Sequence, residues 1–311
     1  MSSINKMNLR MGLLMVAAAM CLPAQAQEST ASSSSQSTIK SSDLGVKPQE
    51  GKDIDEDITN ARLRASTGSK SKISIQTEMA YTGGSLNKPF DKVRPDLSPG
   101  ALPDTVKITG SISGKYRVND SDSINIGSGL SLLTPGYEGQ RGQVDNPYIT
   151  YGKAFRLKGL QNVSSVGFTS YTSESSKKAD RTYSLSAAHT LLANLSDSKW
   201  QAGLVASIDY EIYSTFSAIN EDALHTYLGF YPFAEYAFND KYSFRTVYRG
   251  ISFYTTRDAN TTYRWDEATQ SMGLGVAVTR DIYLYPNVQW VWRDIKSDLT
   301  NVALSANINF F

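Results

Sequence analysis

From residue 72 to residue 311 the chain repeats one pattern: apolar side chains at every second position, broken by polar connections. A period of two puts one face of an extended segment in an apolar environment and the other in water. The outward set opens with Ile73, Ile75, Met79 and Tyr81, then Val106, Ile108, Ile112, Tyr116 and Val118, then Ile124, Ile126, Leu130 and Leu132. Ile149, Tyr151, Phe155 and Leu157 mark a fourth strand, and 163–171 a fifth whose mixed face predicts a bulge. Tyr183, Leu185, Ala187 and Leu191 give a sixth; Trp200, Leu204, Ala206, Ile208, Tyr210 and Ile212 a seventh. Leu224, Leu228, Phe230, Ala234, Tyr236 and Phe238 form an eighth, and Tyr242, Phe244 and Tyr248 a ninth. Met272, Leu274, Val276 and Val278 give a tenth and Val288, Trp290 and Trp292 an eleventh. Val302, Leu304, Ala306, Ile308 and Phe310 close the series.

The connections between these strands alternate in length. "VNDSD", "KGLQN", "ANLSDSK", "NDK" and "TRD" are short, and they alternate with longer ones such as 82–104, "TPGYEGQRGQVDN" and "TRDANTTYRWDEATQ". A barrel across an outer membrane has short turns at one end and long loops at the other, whereas a soluble sandwich has no reason to sort them. The backbone argues the same way: in lipid every N–H and C=O must be paired within the protein, so a sheet there has to close. The expected fold is therefore all-β, a transmembrane antiparallel up-and-down barrel of about twelve strands. Composition agrees: 18 Tyr, 11 Phe and 4 Trp supply interfacial girdles, while no apolar run is long enough for a spanning helix.

The first 26 residues read as a secretory signal. Lys6 and Arg10 precede the apolar "MGLLMVAAAMCLP", and "AQA" at 24–26 is a small-residue cleavage site. The rival reading, acylation of Cys21, wants a small residue before it and finds Met20. Cleavage after Ala26 makes Gln27 the first mature residue and removes the only cysteine, so disulfides, Cys-ligated zinc and a cysteine nucleophile are excluded. Removing Lys6 and Arg10 from 31 basic residues leaves 29 against 30 acidic ones, a balance with no nucleic-acid footprint.

Residues 27–71 form a separate, Ser-rich segment whose composition keeps it flexible. Within it, Asp53, Glu56 and Asp57 precede Arg62 and Arg64, a charge order suited to a short helix ending before Gly68. The Asp53, Asp55, Asp57 spacing fails as a calcium loop, with Ile58 where Gly is needed and Arg64 where Glu is needed. A helix in the pore, a periplasmic tether and a plain linker all fit this stretch, and composition favours the linker.

On the signal sequence, the strand and loop alternation and the terminal phenylalanines, residues 72–311 resemble Gram-negative outer-membrane β-barrel proteins. In size and strand number they are similar to the small porins specific for oligogalacturonate. The resemblance implies an outer-membrane location with both termini in the periplasm, and contact with outer-membrane lipids, with the barrel-assembly machinery and with small solutes. It also implies that Phe310 and Phe311 act as an assembly signal. Phe311 departs from the pattern, since the alternation runs into Phe310.

Some small outer-membrane barrels are lipid hydrolases or proteases, and these need a His positioned as a base. His189 is followed two residues on by Leu191, and His225 follows Glu221 and Asp222; neither makes a His-x-Ser or Asp-x-His pair. "GSISG" has Ile112 at the nucleophile's place of a G-x-S-x-G elbow. No catalytic residue, metal site or cofactor is expected. The inward parity gives a pore-lining set of Gln76, Glu78, Lys107, Lys115, Arg117, Arg156, Asp209, Glu211, Glu235, Arg245, Arg249, Gln289 and Arg293. Gly127, Gly129, Gly273, Gly275 and Ala277 on the same face leave room for a narrow channel. The expected function is passive diffusion of small, weakly anionic solutes. A non-conducting structural or adhesin-like barrel is the alternative, with a lipid hydrolase behind it. Oligomeric state is not legible.

Overall fold

The computed structural model describes residues 60–67, 71–94, 104–136, 138–195, 198–214, 224–257 and 262–310. The signal sequence, the Ser-rich stretch up to residue 59 and Phe311 lie outside the described residues. The elements run α1 (Ala61–Thr67), β1 (Ile73–Ser85), β2 (Val93–Arg94), β3 (Asp104–Thr105), β4 (Lys107–Arg117), β5 (Asp122–Leu133), β6 (Arg141–Leu157) and β7 (Leu160–Ser170). They continue with α2 (Glu174–Lys178), β8 (Arg181–Asn194), β9 (Trp200–Tyr213), β10 (Leu224–Ala237), β11 (Tyr242–Arg249) and β12 (Ile251–Thr256). The last four are β13 (Arg264–Trp265), β14 (Thr269–Ala277), β15 (Ile282–Val291) and β16 (Asn301–Phe310).

Each strand of the wall pairs antiparallel with its neighbours in sequence, and the sheet closes where β1 meets β16, Ile75 opposite Phe310 and Tyr81 opposite Leu304. β11 and β12 are two halves of one wall strand, so the barrel has twelve. Their break is a bulge. Phe233 faces Val247 and Phe230 faces Ile251, so β10 advances three residues while its partner advances four, across Gly250. β2 and β3 pair only with each other inside the first long loop, and β13 pairs antiparallel with β12 ahead of β14, which pairs with β11. Among the described residues no helix is long and apolar enough to cross a membrane.

Closure follows from the pattern of side chains. The outward positions stay exposed on the isolated chain, with Ile73 at 68% and Ile126 at 64%, because only lipid would cover them. Phe168 and Tyr183 stack at 5.2 Å, and Trp200 lies 5.0 Å from Tyr236, so girdle rings pair across strands. Lys153 is a charged exception on this face, at the short-turn end, where it pairs with Asp122 at 3.5 Å. The tight turn at 158–159 uses positive φ at both Lys158 and Gly159, the twist a two-residue hairpin requires.

Three local expectations change. β7 is not bulged: its register runs unbroken against both β6 and β8. Its mixed face arises because Val163 turns inward to an apolar cluster while Ser164 turns outward to His189. The irregularity lies next door in β6, whose ladder shifts between Gly127 and Gly129 near Asn146, at φ 53°, so the strand continues out to Arg141. The inward glycines also do not open space. A Cβ on Gly127 would meet the Ile112 carbonyl at 2.3 Å, and one on Gly275 would meet Ser243 Oγ at 2.2 Å.

Candidate functional site

The short turns all fall at the end of the barrel that holds the start of β1 and the end of β16. α1 sits inside that end. Asn60 caps it by accepting from the Leu63 N–H at 3.1 Å. Asn60 also binds the wall: its own N–H donates to Gln161 Oε1 at 3.3 Å, and its Nδ2 donates to Gln201 Oε1 at 2.6 Å and Glu235 Oε2 at 3.2 Å. At the other end of α1, Gln76 Nε2 donates to the Ser66 carbonyl at 2.8 Å, and Asn309 donates to the Ala65 carbonyl. Those partners come from β7, β9, β10, β1 and β16, strands spread around the wall, so the helix that joins them occupies the lumen. Composition favoured a plain linker here; a capped helix with partners on five strands is the correction.

Apolar contacts seat the same helix. Leu63 is 6% exposed and joins Ala154, Leu192, Phe233 and Val247 in one cluster. Ala65 packs on Tyr283 and Tyr285. Beneath α1 the wall carries a buried ion pair, Arg245 Nη1 to Glu235 Oε2 at 3.0 Å, with both side chains nearly inaccessible. Ser243 Oγ donates to Glu235 Oε1 at 2.5 Å, Tyr285 donates to the Arg245 carbonyl at 3.1 Å, and the Arg245 guanidinium lies 4.1 Å from the Phe233 ring centroid. Arg249 donates to Ser271 Oγ at 3.2 Å. This side of the lumen is filled.

The other side holds a cleft of about 340 Å³, walled by β1 and β4–β7 and bordered by Ser66 and Thr67 of α1. Its lining is hydroxyl-rich, with Ser111, Ser113 and Thr150 beside the Asn125 amide, and it carries Glu78, Lys115 and Arg117, with the exposed Asp120 and the Asp122–Lys153 pair at its rim. Glu78 is exposed to it, accepting from Asn307 Nδ2 at 3.0 Å and from Gln76 Nε2 at 3.4 Å. Lys115 is 6% exposed, set into the wall between Ser74 and Asn125 on the flanking strands.

The remaining inward charges are distributed elsewhere. Lys107 begins β4 at the long-loop end, roughly 27 Å from Lys115 at the usual strand rise, so the three β4 cations do not form one site. Arg156 faces Gln161 across the β6–β7 turn. Asp209 and Glu211 lie near the long-loop mouth, where Tyr171 donates to Glu211 at 2.9 Å and Arg181 lies 5.9 Å over the Tyr171 ring. Gln289 donates to Asn287 at 3.1 Å. Arg293 follows the end of β15, and its side chain pairs with Glu267 at 3.3 Å while 61% exposed. Parity had placed it in the lumen, but the strand stops at Val291.

Ser164 Oγ and His189 Nδ1 lie 2.8 Å apart on the outward face, opposite one another in the β7–β8 ladder. A strand surface supplies them no oxyanion donors, because the flanking N–H groups are committed to the ladder. The His225 ring sits 4.8 Å from Tyr210 at the shift in the β10 register. Among the described residues no group of acidic, His or Cys side chains could hold a metal ion.

Parity missed Asn60, Leu63 and Ala65, the side chains that place α1. A signal for them existed on the wall: Leu192, Phe233 and Val247 are apolar at inward positions, which a water-filled lumen does not call for.

No family model matches the chain, and no curated protein is detectably similar to it. Solved structures to which the chain is similar include an outer membrane channel from Pseudomonas putida F1, at 10% identity and a TM-score of 0.49 over 78% of this chain and 97% of that one. The NanC porin follows at 9% identity and a TM-score of 0.43, covering 76% of this chain and 99% of its own. The KdgM porin gives 10% identity and the same score and coverage.

Proposed function

We propose that this barrel is an outer-membrane channel for passive diffusion of small, weakly anionic solutes, with both termini in the periplasm. The observation that carries the reading is the hydroxyl-rich cleft beside α1, a polar lane in a lumen otherwise packed at that end. With Arg293 outside, the inward set holds Lys107, Lys115, Arg117, Arg156, Arg245 and Arg249 against Glu78, Asp209, Glu211 and Glu235. That excess of cations favours anions without excluding cations.

A second reading, a non-conducting structural barrel, has its own support: α1, the buried ion pair and the two tyrosines pack together inside the short-turn end. Conductance of the purified protein in a planar bilayer separates the two. The channel reading expects discrete conductance steps and an anion-leaning reversal potential across a KCl gradient. A silent bilayer with correctly inserted protein hands the case to the structural barrel.

A further inference from the structure

We propose that α1 is a displaceable plug, and that while seated it confines permeation to the lane along β1 and β4–β7, so that Glu78, Lys115 and Arg117 set charge selectivity. This inference rests on the channel reading and adds a gate and a selectivity site to it.

The geometry points to a plug because α1 touches strands on several sides of the wall and covers Glu235 and Arg245 from the solvent. Displaceability follows from how it is held. Seven residues are too few for a helix to persist by itself, so α1 is ordered only by its seat. Much of that seat is polar, hydrogen bonds that water replaces at small net cost and the Arg62 guanidinium within electrostatic reach of Glu78 and Glu235, and the apolar share is three small-to-medium side chains, Ala61, Leu63 and Ala65. Asn309 Oδ1 is buried at the seat with no hydrogen-bond partner and would gain water when α1 leaves.

The wall does not need the plug. Ser243 and Arg245 continue to hold Glu235 from within the sheet, and Tyr285 continues to hold the Arg245 backbone. Departure of α1 therefore leaves a closed barrel with a wider lumen, a two-state element of the kind that local unfolding produces.

The test uses the full chain in a Cys21→Ser background. A loosened variant, Asn60→Ala with Leu63→Ser, should dwell in a larger conductance level more often than the parent. A locked variant, Ser66→Cys with Gln76→Cys joined by a short bismaleimide, should lose that level. As a check independent of conductance, Leu63→Cys should react with a water-soluble maleimide at least about tenfold more slowly than Asp120→Cys at the same end, as a closed population above ~90% requires. Replacing Lys115 and Arg117 with Gln should move the parent's reversal potential toward cations.

Each failure reads differently. Identical levels in locked, loosened and parent proteins overturn the gate and leave the channel reading standing. An unchanged reversal potential overturns the assignment of the lane. Labelling of Leu63→Cys as fast as Asp120→Cys shows that α1 is not seated and overturns the plug. Silence in every variant removes the channel reading and the gate with it.

Discussion

Arg245→Met alone should be far more damaging than Arg245→Met combined with Glu235→Gln. In the native wall the two side chains are 3% and 5% exposed and 3.0 Å apart. Taking away the guanidinium strands a carboxylate in the packed part of the lumen, a change that typically costs about 3–5 kcal/mol. Two donors remain to soften it, the Ser243 hydroxyl at 2.5 Å and Asn60 Nδ2 at 3.2 Å, and the Arg62 guanidinium of α1 stays within electrostatic reach of the carboxylate. Hydrogen bonds to a charged group are worth roughly 1.5–3 kcal/mol each, so the expected loss lies at the low end, about 3 kcal/mol.

The double variant replaces the charge pair by groups of similar volume and keeps an amide for Ser243 and Asn60. Its expected cost is under about 1.5 kcal/mol, because the desolvation of both ions is relieved together. The assay is urea unfolding of refolded protein in lipid vesicles, read as the loss of the heat-modifiable gel form. If the single and double variants unfold at the same urea concentration, the pair is not coupled and the buried-ion account fails. Arg245 also illustrates why parity alone misleads about permeation: reversing its charge tests wall stability rather than the lane.

Ser164→Ala should destabilise the barrel by about 1–3 kcal/mol by leaving His189 unpaired on the lipid face, while Ser164→Val with His189→Leu restores the loss; unfolding midpoints compare the three. Deleting Phe310 and Phe311 should block assembly, since Phe310 pairs with Ile75 at the closing seam, and the variant should lack the heat-modifiable form and be degraded. Normal insertion of that deletion would end the assembly role. N-terminal sequencing of the exported protein should begin at Gln27; a lipid-modified Cys21 would instead make residues 27–59 a membrane tether.

The outside of this barrel was legible and the inside was not, for a physical reason. Lipid imposes one rule on every outward position, so Ile73, Ile126, Leu185 and Leu304 announce their face and the strands can be counted from them. Boundaries slipped where the backbone left the ladder rule, at Asn146 in β6, where one extra residue let the strand run on, and at Gly250, where a bulge hid the continuation into β12; they slipped again at Arg293, where alternation runs past the strand's end at Val291. β7 failed differently. Val163 and Ser164 break the alternation with no backbone irregularity, because each answers to its own surroundings, Val163 to the inner apolar cluster that contains Leu63 and Ser164 to His189 outside.

Inward positions obey no single solvent. Some face water, as Glu78 does; some face another wall residue, as Arg245 faces Glu235; some face the chain's own N-terminal helix. A rule that assigns polar residues to the pore therefore collects a buried ion pair and an open lane into one set. The informative residues are those that violate the rule. Leu192, Phe233 and Val247 are apolar on the inward face of neighbouring stretches of wall, and Leu63 is the apolar side chain of the helix that they meet. Apolar surface turned toward a lumen is unfavourable in water by roughly 25 cal/mol per Å², so a cluster of it records an occupant. Read in that way, the lumen face of a barrel sequence carries two messages, the charges that remain wetted and the apolar patch that marks a plug.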